Sequence, residues 1–293
     1  MYLSGFKTDL YLMIKPESDL ENINPDFLEN KYTVRLSGDF NFNFLQKFYL
    51  KFKNITNLDI GMQYGNNGDN SFVYNFDKLE GLVIPLWREC NFILDCSKLP
   101  KSLYSLNISI WTKKSIINIE SLNNTNLEHL YISDFDEIDL TKLTSLINLK
   151  SLSITRSKIK SLKGIESLTN LKSISFGAVR SLIDISDISV LKNLKFLEFD
   201  ICWKLEDFSP IGKLKELEVL MLLDCKNLAS IKFVEKMPKL EQLALLGTTI
   251  VNDYDITPAK NIQQVFGYNN KYNVNYEEKA KEPARKSFST FLK

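Results

Sequence analysis

Residues with chemical capability are few and widely spaced in this chain. Glu198 and Asp200 stand two apart in FLEFD. On an extended segment both side chains leave the same face, and paired carboxylates can act as general acid and base. The same pair serves equally as solvated recognition charge, and that is the reading the rest of the chain favours. His129 is the single histidine, too little for a histidine-dependent triad or a multi-histidine metal site. Cys90, Cys96, Cys202 and Cys225 form no C-x-x-C pair, which points to free thiols in a reducing compartment. No phosphate-cradling, dinucleotide-binding or nucleophile-elbow motif occurs in a fitting context. The chain is therefore expected to be no enzyme and to carry no cofactor or metal.

Composition narrows the classes further. The 293 residues are 44% hydrophobic and 25% charged, with a formal net charge of +1. No global field would recruit nucleic acid or an anionic membrane, and basic residues form no aromatic-interleaved stripe. No window approaches the apolar length of a spanning helix. The opening stretch is broken by Lys7, Asp9 and Lys15 and does not read as a signal peptide. A cytoplasmic protein is expected, with no nucleic-acid and no membrane partner.

The elements that would position these residues are written as a repeat. NLKSLSI begins at Asn148 and NLKSISF at Asn170. The template L-x-x-L-x-L fits from Leu127, Leu149, Leu171, Leu194, Leu217 and Leu240, at steps of 22 or 23 residues. It fits upstream from Ile55, Leu79 and Leu103 at steps of 24, with degenerate turns around Val34 and Ile262. This period and pattern resemble the leucine-rich repeat family. Turns such as LTSLINLKSLSITRSKIKSLKGIES are similar to internalin-type bacterial repeats, and LPKSLYSLNIS to bacterial repeats containing Leu-Pro. The resemblance implies an α/β solenoid of about ten turns. A curved parallel sheet would line its concave side, with loops and short 3-10 or helical turns on the convex side. Residues 31–268 would form the solenoid, 1–30 an N-terminal cap and 269–293 a C-terminal cap or loose tail.

Counting each turn from its first Leu, places one, four and six point into the core, while places three, five and seven face the hollow side. The ninth place turns inward again in this family. Here it reads Gln63, Trp87, Trp111, Phe135, Ser157, Val179, Cys202, Cys225 and Thr248. The two cysteines there fill the loop stack. Trp87, Trp111 and Phe135 either widen the core or lean out as a binding strip. On the hollow side the middle turns are serine-rich and would let a partner approach closely.

Candidates for recognition there are His129, Tyr131, Phe196, Glu198, Asp200, Met221 and Leu223, with Trp203 at the rim between Arg180 and Lys226. An apolar centre with aromatic and charged neighbours has the composition of an interaction hot spot. Alternatively a C-terminal cap folds over Met221 and Leu223. The family's usual role implies a non-enzymatic scaffold that binds a protein partner through the concave face and is monomeric when free. A cytoplasmic inhibitor or immunity-type protein, and a self-assembling structural protein, are the other readings.

Overall fold

A short strand with apolar side chains at alternate places buries one face. It satisfies its backbone by lying beside another strand of the same kind. The computed structural model describes residues 10–25, 32–61, 68–86, 92–276, 279 and 286–292, and it meets that need with one ladder strand per turn. Two units are distinguished, Met1–Ser133 and Asp134–Lys293.

The first unit holds β1 (Tyr11–Ile14), β2 (Thr33–Leu36), β3 (Asn57–Ile60), β4 (Gly81–Pro85), β5 (Leu94–Asp95), β6 (Ser105–Ser109), β7 (Ile116–Ile117) and β8 (His129–Ser133). All but β5 and β7 form a parallel ladder in chain order, and those two pair with each other. The ladder starts earlier than the repeat pattern does, because β1 pairs in parallel with β2. An eleven-residue helix, α1 (Phe42–Phe52), fills the turn between β2 and β3, a longer helix than the sequence suggested for any turn. Asn41 caps it by accepting a hydrogen bond from the Phe44 N–H, and Leu45, Phe48 and Phe52 bury one face at helical spacing.

The second unit holds β9 (Ser151–Thr155), β10 (Ser173–Gly177), β11 (Phe196–Asp200), β12 (Val219–Leu223), β13 (Asn227–Leu228), β14 (Gln242–Leu246), β15 (Ile250–Val251) and β16 (Gln264–Phe266). Here too the ladder is parallel and the short β13 and β15 pair separately. Register runs place for place: Phe196 lies opposite Val219, and Val219 opposite Gln242. Leu171, Ile174 and Phe176 therefore sit beside Leu194, Leu197 and Phe199, all fully buried. The Phe176 and Phe199 rings stack at 5.6 Å.

Trp111 and Phe135 belong to the core, at 1% and 0% exposure. Trp87, Gln63 and Cys90 lie outside the described residues. Val179, Cys202 and Cys225 fill the ninth column as expected, and Ser157 donates to the Phe135 carbonyl at 2.9 Å. Thr248 departs from that column. It is exposed, and Thr249 turns inward instead, where its hydroxyl accepts the Cys225 N–H at 3.0 Å.

Two local devices recur in the turns. The eighth place is left-handed in seven successive turns: Ile110, Asp134, Arg156, Ala178, Ile201, Asp224 and Gly247. From Asp134 to Asp224 its N–H donates to the seventh-place carbonyl of the next turn, as from Ala178 to Asp200 and from Ile201 to Leu223. Left-handed backbone costs a non-glycine residue about 1–2 kcal/mol, so the rung is kept against a local penalty. Only Gly247 among these lacks a side chain, and a Cβ there would also meet the Asp224 carboxylate.

The second device opens the return segments. Asp139, Asp184, Asp207 and Asp255 each accept the backbone N–H two residues on, at the start of a 3-10 turn. Asp255 also accepts from the Thr257 hydroxyl and, at 2.7 Å, from the Asn273 amide. These bonds hold its carboxyl below its ordinary value, with the Thr257 hydroxyl the leading cause. A depressed carboxyl favours the ionised folded state, so its contribution is complete above the ordinary aspartate range and disappears in acid. Asp255→Ala is expected to lower the melting temperature at neutral pH. Melting curves should show that gap closing as pH falls through the carboxylate range, and a pH-independent gap would contradict this account.

Candidate protein-binding surface

The eight candidate residues divide between the units. His129 and Tyr131 lie on β8 in the first, and Phe196, Glu198, Asp200, Trp203, Met221 and Leu223 belong to the second. Neither residue of the first pair is open to a partner. His129 is 1% exposed, with Nε2 2.7 Å from the Tyr104 hydroxyl and the two rings in edge contact at 4.6 Å. Tyr131 is 4% exposed, and burial pushes its phenol up.

Phe196 and Met221 require the same correction. Both were expected to face a partner, yet both are buried. Phe196 is covered by the C-terminal segment, in which Phe288–Phe291 forms a 3-10 turn packed on β10 and β11. The Phe196 ring meets Phe288 edge-on at 5.7 Å and Phe291 at 5.5 Å. The serine-rich middle is closed as well. Ser151 and Ser173 are fully buried with their hydroxyls 2.6 Å apart, and Ser175 donates to Glu198 at 2.8 Å.

The tail is held by polar side chains as well as by rings. The Gln242 amide bonds both backbone groups of Lys286, donating to its carbonyl at 3.1 Å and accepting its N–H at 2.9 Å. The Lys286 ammonium lies 2.7 Å from Glu241 and 3.5 Å from Glu218. Glu218 also pairs with Lys195 at 2.8 Å. Burial alone would raise the Glu218 carboxyl, but the two lysines hold it below its ordinary value. The Glu241 hydrogen bond is the main cause that raises Lys286. Sequence reasoning missed Glu218, Glu241, Lys286, Phe288 and Phe291. A signal was present: the second place reads Lys150, Lys172, Lys195, then switches to Glu218 and Glu241.

What stays open is the seventh place. Thr155, Gly177, Asp200, Leu223 and Leu246 are half-buried along neighbouring strands. Burial pushes the Asp200 carboxyl up, and the Asp224 charge adds to it. At the rim Trp203 is 42% exposed, and its ring lies between the Arg180 guanidinium at 4.6 Å and the Lys226 ammonium at 5.0 Å. Three residues at the tenth place of successive turns thus form one cation–π stack. Glu198 and Asp200 share a face, where Ser175 donates to the first and the second neighbours Asp224. No cluster of metal-ligating side chains occurs among the described residues. No helix there is long and apolar enough to cross a membrane.

No protein-family model matches the chain, and no curated protein matches it. Solved structures do. An internalin (inlF) from Listeria monocytogenes superposes with a TM-score of 0.58 at 20% identity, covering 87% of this chain and 72% of that one. The functional domain of InlJ from the same organism, which includes a cysteine ladder, gives 0.50 at 13% identity over 87% and 66% of the two chains. A leucine-rich repeat protein from Leptospira interrogans gives 0.48 at 22% identity over 78% and 64%. The fold is that of the leucine-rich repeat, with turns similar to those of internalins.

Covering of Phe196 by the tail has a measurable consequence. Phe196→Ala is expected to cost about 3 kcal/mol in urea unfolding, as for a buried aromatic residue. A loss below about 0.5 kcal/mol, the range of surface changes, would mean that the ring faces water.

Proposed function

We propose that this chain is a non-enzymatic scaffold that recognises a protein partner through the concave face of its second unit. The observation that carries the reading is the open seventh-place strip beside the Trp203 stack. An exposed indole held between two cations loses little freedom on binding, which reduces the ordering cost of association. Leu223 and Leu246 supply apolar contact next to it. Asp200 supplies negative charge that burial, and then the nearby Asp224 charge, disfavour in the absence of a cation. That combination suits a partner segment carrying lysine or arginine beside aliphatic or aromatic side chains. Of the eight residues proposed from sequence, Asp200, Trp203 and Leu223 form the contact and Glu198 borders it. His129, Tyr131, Phe196 and Met221 are buried and take no part in it.

In this reading the chain acts as a monomer in the cytoplasm, a reducing compartment that suits the buried thiols of Cys96, Cys202 and Cys225. The test is capture from extracts of the source cells on immobilised native chain, Asp200→Lys and Trp203→Ala, followed by mass spectrometry and titration of the retained protein. Each substitution is expected to weaken that protein's binding roughly tenfold or more while shifting the melting temperature little. A partner held equally by all three would place recognition elsewhere.

A further inference from the structure

The tail is gripped in the manner of a peptide ligand. Its backbone N–H and carbonyl at Lys286 both bond the side-chain amide of Gln242 on β14. Its ammonium enters an acidic pair, Glu218 and Glu241, on the two neighbouring turns. Its two phenylalanines, three residues apart on one 3-10 turn, converge on Phe196. The Ser287 and Thr290 side chains form a capping box that orders this turn from within. Backbone capture, one charge pocket and one aromatic pocket are the components of a short-motif recognition site.

We propose that these turns form a second recognition site, for an extended segment of the type Lys-x-Phe-x-x-Phe, which the chain's own tail occupies in cis. The external ligand is a protein presenting a lysine followed by aromatic residues two and five positions later. It binds by displacing residues 286–291 from Gln242, Glu218, Glu241 and Phe196. The inference rests on the reading of the chain as a protein-binding scaffold, but it concerns a different set of residues from the Trp203 strip.

Fluorescence anisotropy with a labelled KSFSTFL peptide tests it on the full-length chain. Phe288→Ala/Phe291→Ala frees the tail and is expected to bind the peptide saturably, at least tenfold tighter than the native chain, whose site is filled. Adding Glu218→Lys and Glu241→Lys should reduce that binding tenfold or more, and a peptide with both phenylalanines replaced by alanine should not bind. Equal, weak binding by the native and freed chains would overturn the proposal.

Lys286→Glu, a change at a half-exposed side chain, gives a readout that does not depend on the freed variant folding. It should speed proteolytic cleavage of the tail at least severalfold, and Glu218→Lys/Glu241→Lys in the same chain should restore protection. Unchanged cleavage in Lys286→Glu would also overturn it. Peptide binding should survive Trp203→Ala and Asp200→Lys, so loss of the open-strip partner and loss of the tail site are separable results.

Discussion

Everything in this structure depends on the in-register parallel pairing of successive turns. Strand Cα atoms face one another place for place, about 4.8 Å apart. Whatever stands at one place must therefore tolerate its counterpart on the next turn. Leucine and isoleucine do so by forming a continuous core, which no single turn could close alone. Several charged residues do so by meeting opposite or aromatic neighbours. Asp134 binds Arg156 through both carboxylate oxygens, Asp136 meets Lys158, and Lys195 meets Glu218. At the tenth place Arg180 and Lys226 are separated by an indole rather than by a carboxylate. Exposed ion pairs of this kind contribute little each. Their regularity shows the stacking acting on the surface as well as on the core.

The same constraint explains the cost accepted at the eighth place. A strand that ran on would carry its side chains past the core. The chain turns by one left-handed residue, and the freed N–H is taken up by the next turn. Ile201, a β-branched residue, occupies that conformation because the ladder bond leaves it no other position. Energy is lost locally and recovered in the bond between turns, so the penalty is stable only where a neighbouring turn exists.

Much of the architecture was legible from spacing alone. The period located every ladder strand from β3 to β14, and even the degenerate turns at Val34 and Ile262 proved to hold strands. Helix α1 was not foreseen, although Leu45, Phe48 and Phe52 have helical spacing, because the repeat template assigns return segments too few residues for one. Thr248 was misplaced because a fixed count cannot register that the chain turns inward one residue later. The hollow-side residues were misjudged for a deeper reason. A repeat pattern describes a turn and its neighbours, and from it every non-core place looks open. Phe196 and Gln242 are engaged by residues from outside the repeat, which the pattern does not contain. Arg180, Trp203 and Lys226 stand in one column at the rim, where the spacing put them, because their cation–π contacts run along that column.

The tail also alters how these turns fold. Stacked turns make contacts at short and nearly constant sequence separation, so they can assemble by local propagation. The bonds from Lys286 to Gln242, and from Phe288 and Phe291 back to Phe196, span much longer stretches of chain. Closing such loops costs entropy that grows with the logarithm of their length, and the surface they close on exists only once β11 and β14 are stacked. Docking of the tail therefore requires those turns to be stacked first. It links turns that otherwise communicate only with their neighbours, so that separate rungs at this end of the ladder open and close as one cooperative unit.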